Sequence, residues 1–115
     1  MAITNLENLS NMTGGDKDTM KQFVQLYLGD TPNLLGKLVD AYQKQSFQGV
    51  DSVQWCAHKI APQLGYMGMS STYDLAKKIE NDMIANKMDD LLNDLTAMQD
   101  QISQSYTELE AFINS

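Results

Sequence analysis

The sequence predicts an all-α fold, an antiparallel up-down-up-down four-helix bundle with a short extra helix at its N-terminus. The 115 residues include only two prolines and no alternating strand-like run. Apolar residues recur every three or four positions over long stretches, which is the period of a helix. The connections between these stretches are short, so neighbouring helices have to run antiparallel. We expect one domain, spanning residues 1–115, around a single core.

The first half of the chain contains a short amphipathic segment and one long helix. The short segment lies around Leu6 and Leu9, and the turn after it leads to Asp16, the expected N-cap of the long helix. The apolar stripe of that helix keeps its phase across Pro32, which indicates one bent helix or two collinear ones. The stripe consists of Met20, Val24, Tyr27, Thr31, Leu35, Leu38 and Tyr42.

Two capping patterns mark the starts of the last two helices. Ser71, with Asp74 three residues later, resembles a capping box that opens the fourth helix. Asn86 and Asp89 repeat this spacing before the last helix. The last helix then has a heptad-like seam of Met88, Leu91, Leu95, Met98, Ile102, Ser105, Leu109 and Phe112. We expect the eight methionines to fill gaps in the core, and a methionine-rich surface groove is the alternative.

The charge distribution argues for a protein partner. The net charge is −7, with eight lysines and no arginine, whereas nucleic-acid binding needs clustered cations. From residue 88 onward there are six acids and no lysine, which leaves nine acids and eight lysines in the first 87 residues. We therefore expect no nucleic-acid binding, and we expect any surface for an acidic partner to lie before residue 88.

The cysteine content and the N-terminus favour the cytoplasm. Cys56 is the single cysteine and cannot form an intramolecular disulfide. The opening residues lack the basic and apolar regions of a secretory signal, and no run approaches the roughly 18 apolar residues of a spanning helix. We expect a cytoplasmic, stand-alone monomer that is not embedded in a membrane.

The third helix carries the one histidine, His58. We expect this helix to begin near Val50, with Asp51 in its first turn, where the helix dipole favours an acid. Its apolar stripe is Val50, Val53, Ala57, Ile60, Leu64 and Met67. His58 lies one step, about 100°, away from that stripe. The residues on the histidine's own face are Gln54, Trp55, Ala61, Pro62 and Gly65. Small or ring-closed side chains on its C-terminal side would let a partner approach closely, and a surface histidine beside a kink is the alternative.

The sequence gives little support to other classes of catalytic site. A di-iron bundle needs two Glu-x-x-His pairs, and the chain has one histidine and no such pair. Cys56 lies two residues before His58, on a different face of the helix, so no Cys-His pair is expected. No phosphate-cradling loop is present, because Gly14 and Gly15 lack the spacing of a P-loop. We expect no metal, no bound cofactor and no phosphorylation from ATP.

The segment from Ala57 to Gly68 resembles the phosphorylation site of histidine-containing phosphotransfer (HPt) domains. That family has an alanine-histidine pair, an apolar residue at +2, Lys-Gly at +3 and +4, and a further glycine at +10. His58, Ile60 and Gly68 match this pattern, and the helix order matches over nearly the whole chain. The residues that resemble the trailing positions of the family on the next helix are Leu75, Ile79 and Glu80.

This resemblance implies a role in a two-component phosphorelay. His58 would accept a phosphoryl group from an aspartyl phosphate in a receiver domain of a response regulator or hybrid histidine kinase. It would then pass that group to a second receiver. The receiver would supply magnesium, and the chain would be a carrier without an ATP site. A helical adaptor that binds a receiver or another signalling protein without being phosphorylated is the alternative function.

The chain departs from the family pattern at Ala61 and Pro62, where the family has lysine and glycine. The family's lysine is understood to engage the phosphoryl group and the acidic receiver site. Lys59 lies about 100° away around the helix, whereas Lys77 and Lys78 on the facing helix are better placed to supply positive charge. The residues expected to contact the partner are Trp55, Lys59, Ala61, Pro62, Gly65, Lys77 and Lys78.

Glu80 is the expected neighbour of His58. Folding the helical hairpin about its turn near Met69 sets position 58 opposite roughly position 80. We hypothesise that Glu80 accepts a hydrogen bond from Nδ1–H of His58, which fixes the tautomer and leaves Nε2 as the nucleophile. The alternative is a solvated helix acid with no such contact.

Overall fold

The computed structural model describes residues 2–115, and within that range the chain forms five helices and no strand. The all-α prediction is therefore confirmed. The helices are α1 (Glu7–Met12), α2 (Lys17–Gln43), α3 (Val53–Tyr66), α4 (Ser70–Ile84) and α5 (Leu91–Ile113). Within this part of the chain, none of the helices combines the length and apolar character that crossing a bilayer needs.

The four longer helices share one core. α2 packs against α3, α3 against α4, α4 against α5, and α5 against α2, while α1 packs on α2. The buried side chains of α2 and α5 follow the two stripes predicted from the sequence. Four members are exceptions: Leu35, Tyr42 and Phe112 are only partly buried against this core, and Met88 is exposed. Cys56 has no exposed surface and belongs to this core.

α2 is one uninterrupted helix that contains Pro32. Of the two alternatives left open by the sequence, a single helix is therefore correct. Asp16 occupies the N-cap position as predicted, but its carboxylate bonds the Thr19 hydroxyl instead of a backbone amide.

α3 begins three residues later than predicted. Ser52 is its N-cap, and the Ser52 hydroxyl accepts a hydrogen bond from the amide of Trp55 at 3.1 Å. Asp51 has a φ of 61° and so lies outside the helix. Val50 is 78% exposed, so its predicted place in the core stripe is wrong. A serine cap outweighs the weaker preference of an acid for the first helical turn.

The two predicted capping patterns are also wrong. α4 begins at Ser70 and has Met69 at its N-cap position, so Ser71 is already inside the helix. Met69 is 1% exposed and makes no side-chain cap hydrogen bond, so a buried apolar residue occupies the N-cap position. α5 begins at Leu91, after a connection in which Asn86 has a φ of 58°. Met88 lies in that connection and is exposed.

Core filling by methionine is confirmed for five residues. The buried methionines are Met20, Met67, Met69, Met83 and Met98. Met12 and Met88 are exposed, and Met1 lies outside the described residues. The flexible thioether side chain suits the irregular gaps between helices of unequal length.

The chain before α1 forms an N-terminal strap (residues 3–5) that crosses the α3–α4 turn. The Glu108 carboxylate on α5 accepts the amides of Ile3 and Thr4 at 2.8 and 2.9 Å, and the Thr4 hydroxyl at 2.6 Å. The Asn5 amide donates to the carbonyl of Met67 at 3.0 Å. The strap thus ties α1 to the turn after α3 and to α5.

Acidification is expected to release this strap. Burial raises the pKa of Glu108, but the hydrogen bonds from Ile3 and Thr4 outweigh that effect and leave the pKa below its ordinary value. A carboxyl whose pKa is depressed by folding stabilises the fold above its unfolded pKa, and this stability is lost as the pH falls through its folded pKa. The Ile3 and Thr4 amide resonances should therefore move towards unstructured values at acid pH.

A Glu108→Gln variant provides the control for that measurement. Glutamine does not titrate, so the acid-dependent movement of the two amide resonances should disappear. Resonances of wild type that stay fixed through the carboxyl range would contradict the prediction.

Candidate functional site

His58 and Glu80 are in direct contact across the α3–α4 pair. Nδ1 of His58 lies 2.6 Å from Oε2 of Glu80, so the neighbour predicted by folding the hairpin is present. The His58 side chain is 62% exposed, whereas that of Glu80 is only 10% exposed. A nearly buried carboxylate therefore holds one edge of an imidazole whose body lies in solvent.

Glu80 is also bound by Lys77. The Lys77 ammonium donates to Oε1 of Glu80 at 2.8 Å, so each carboxylate oxygen has its own partner. Burial raises the pKa of Glu80, but the hydrogen bonds from Lys77 and His58 outweigh it and hold the pKa below its ordinary value. An ionised carboxylate can only accept hydrogen bonds, so Nδ1 is the donor in this contact, and in the neutral form of the ring the free lone pair is on Nε2.

The surface beside His58 differs from the prediction at Ala61. Pro62 and Gly65 are exposed, as expected. Ala61 is 2% exposed and belongs to the core, so its assignment to the partner-contacting surface is wrong. The reason is that α3 packs against both α2 and α4, which widens its buried face beyond a single stripe. The buried residues of α3 are Val53, Cys56, Ala57, Ile60, Ala61 and Leu64.

Trp55 lies between two lysines. The Lys59 ammonium is 5.3 Å from the ring centroid, and that of Lys37, on α2, is 5.8 Å from it. Both distances are in the range of a cation–π interaction. Lys59 thus adds positive charge next to His58 in the chain, and Lys37 was not predicted because its place beside Trp55 depends on how α2 packs on α3.

Lys78 belongs to a separate cluster between α4 and α5. Its ammonium donates to Asp82, Asp90 and Asp94 at 3.0, 3.0 and 2.7 Å. The hydrogen bond to Asp94, followed by those to Asp90 and Asp82, raises the pKa of Lys78. The three carboxylates lie close enough together to hold a metal ion, but the lysine ammonium already provides a cation. Of the two lysines proposed from the sequence, the structure therefore brings only Lys77 to Glu80.

An apolar patch, defined here as Met12, Phe23, Leu26 and Tyr66, lies on the α1, α2 and α3 side of the molecule. These side chains are 58%, 36%, 62% and 46% exposed. Phe23 and Tyr66 have ring centroids 6.5 Å apart, and together with Leu26 they line a groove of about 200 Å³. Tyr66 also lines a second, shallow depression with Met12, Pro62 and Gly65. The apolar patch is therefore continuous with Pro62 and Gly65, the exposed residues that follow His58 on its helix face.

The site presents one nucleophilic nitrogen, Nε2 of His58, on an exposed helix face. The other ring nitrogen, Nδ1, contacts the Glu80 carboxylate. The exposed residues beside the ring, Pro62 and Gly65, have no long side chains, and the Lys59 ammonium lies nearby. Comparison of the chain with protein-family models, with curated proteins and with solved structures finds no match. The chemistry that suits an exposed, oriented imidazole is nucleophilic attack and transient covalent attachment of a group to Nε2.

Proposed function

We propose that the protein is a phosphorelay intermediate that accepts a phosphoryl group on His58 from a receiver-domain aspartyl phosphate and passes it to another receiver. The observation that carries this proposal is the contact between Nδ1 of His58 and the Glu80 carboxylate beneath an exposed ring. Under this hypothesis the protein is a carrier of the phosphoryl group and has no ATP site. The resemblance of the segment around His58 to HPt domains supports the same assignment.

The transfer step needs little from the carrier beyond an oriented nucleophile. Nε2 attacks the phosphorus atom, a P–N bond forms, and the P–O bond to the receiver aspartate breaks so that the aspartate leaves as a carboxylate. The proton on Nδ1 stays in its hydrogen bond to Glu80. Transfer to the second receiver reverses these steps. Because phosphoryl transfer depends mainly on positioning and charge stabilisation, magnesium and its acidic ligands on the receiver complete the site.

The surface around His58 supports docking of a receiver. The exposed Pro62 and Gly65 leave room for a partner, and the apolar patch adjoins them. Lys37, Lys59 and Lys77 supply cations on this side of a chain whose net charge is −7, and an acidic receiver site complements them. We further propose that the four longer helices form an antiparallel up-down-up-down bundle, supported by their cyclic packing order.

The apolar patch also favours the second candidate, a helical adaptor that binds a receiver or another signalling protein without being phosphorylated. Four large apolar side chains exposed in one area mark a surface that binds another protein. The adaptor would use the same surface, so the two functions differ in the fate of the phosphoryl group and not in the place of docking.

Incubation with a radiolabelled phospho-receiver and magnesium distinguishes these functions. The relay predicts rapid transfer of label to this chain, with the acid lability and base stability of a phosphoramidate at histidine. The adaptor predicts a complex that co-elutes with the receiver while all label stays on the receiver or is released as phosphate. Absence of label from the wild-type chain, with receivers that bind it, would overturn the relay proposal.

A further inference from the structure

We propose that Lys77 is a positioning residue, which holds Glu80, and through it the imidazole of His58, in the orientation that leaves Nε2 free. The effect of Lys77 on phosphoryl transfer rests on the proposed function. Its effect on the ring of His58 does not, because that effect is present in the isolated protein.

The contacts form a chain of three side chains. Lys77 Nζ lies 2.8 Å from Oε1 of Glu80, and Oε2 of Glu80 lies 2.6 Å from Nδ1 of His58. Lys77 and Glu80 are three residues apart on α4, a spacing that places both side chains on one helix face. With one partner on each oxygen, the carboxylate has a fixed rotation, and that rotation sets the direction of the bond to the imidazole.

The charges show why this carboxylate needs the ammonium. The Glu80 side chain is only 10% exposed, and a carboxylate withdrawn from water is costly unless a cation or hydrogen-bond donors pair with it. Lys77 provides that cation, so Glu80 can stay ionised and accept the hydrogen bond from Nδ1–H of His58. Without Lys77, one oxygen of a nearly buried carboxylate loses its partner, which favours uptake of a proton by Glu80. A protonated Glu80 no longer holds the imidazole as a charged acceptor for Nδ1–H.

Other nearby lysines have different contacts. Lys59 lies over the Trp55 ring, and Lys78 is bound by three aspartates of the α4–α5 cluster. Ala61, at the position where HPt domains have their lysine, brings no charge to the site. Among residues 2–115, Lys77 is thus the lysine that forms a salt bridge with Glu80.

Nitrogen NMR on protein labelled with ¹⁵N-histidine tests the proposal directly. His58 is the one histidine of the chain, so the spectrum contains a single pair of ring nitrogens. At neutral pH we expect wild type to show the Nδ1–H tautomer. Lys77→Met should lower the fraction of that form, and Lys77→Arg, which restores a cationic donor, should recover it. Lys59→Met removes a neighbouring cation that does not touch Glu80, so it should keep the wild-type tautomer.

The proposal is overturned if Lys77→Met keeps the wild-type ring spectrum, or if Lys59→Met changes the spectrum as much as Lys77→Met does. Circular dichroism identifies any loss of fold, and Lys77→Gln serves as a second neutral variant if the methionine variant unfolds. With a phospho-receiver, Lys77→Met should slow acceptance of the phosphoryl group by about tenfold or more, by analogy with the loss caused by removing a group that orients a metal-binding imidazole. A wild-type chain that accepts no label but shows the expected NMR series would refute the relay and support the positioning role.

Discussion

His58→Gln is expected to take up no phosphoryl label from a receiver that labels the wild-type chain. An amide side chain has no ring nitrogen to attack phosphorus, so the proposed P–N bond cannot form. The His58 side chain is 62% exposed, the amide of glutamine can still donate to Glu80, and Lys77 remains bound to the other oxygen of that carboxylate, so we expect the fold to be retained, which circular dichroism checks. Loss of label would therefore reflect lost chemistry in a folded protein.

Two further measurements make this result specific. The affinity of His58→Gln for the receiver, measured by calorimetry, should stay close to that of wild type because Pro62, Gly65 and the apolar patch are unchanged. Lys44→Gln is a matched surface substitution, since Lys44 is exposed and pairs with the exposed Asp40, and it should label like wild type. Label that persists in His58→Gln would show that another residue is the acceptor.

Gly68→Ala is expected to lower the free energy of unfolding by about 2–3 kcal/mol. Gly68 has a φ of 66°, a conformation that costs an L-residue roughly 1–2 kcal/mol. A Cβ at this position would lie 1.9 Å from the carbonyl oxygen of Asn5, so the strap has to move. That movement breaks the hydrogen bond from the Asn5 amide to Met67, worth about 1 kcal/mol.

Gly14→Ala separates the cost of the backbone conformation from the cost of displacing the strap. Gly14 has a nearly identical φ of 64°, but a Cβ there would meet nothing within 4 Å. It should therefore show only the conformational cost, roughly 1–2 kcal/mol. Urea unfolding of both variants measures the difference, and an equal loss of stability in the two would contradict the role assigned to the strap.

The sequence was most informative where a helix buries a single stripe. The stripes of α2 and α5 were predicted almost residue by residue because a 3.6-residue period relates sequence to one buried face. The helix starts were predicted poorly. Met69 is buried at the N-cap position of α4, and no local polar pattern in the sequence indicates a helix start at such a residue. Ala61 was misplaced for a related reason, since α3 contacts two neighbouring helices and buries a wider face.

The contacts of the candidate site were likewise predictable where they depend on spacing along the chain, and unpredictable where they depend on how helices pack. The proximity of Glu80 to His58 followed from the length of the α3–α4 turn, and the i,i+3 spacing of Lys77 and Glu80 was also available from the sequence. The position of Lys37 beside Trp55 depends on the side-by-side packing of α2 and α3, which periodicity does not describe. The apolar patch combines residues of three helices for the same reason.

The burial of Cys56 gives the molecule an internal reporter. Cys56 has no exposed surface, and burial raises the pKa of its thiol, so an alkylating reagent can reach it only when α3 leaves its neighbours. It is also the single thiol of the chain and lies two residues from His58. The rate of its modification therefore measures how often the helix that carries the proposed acceptor opens, and the same measurement with a bound receiver would show whether docking closes it.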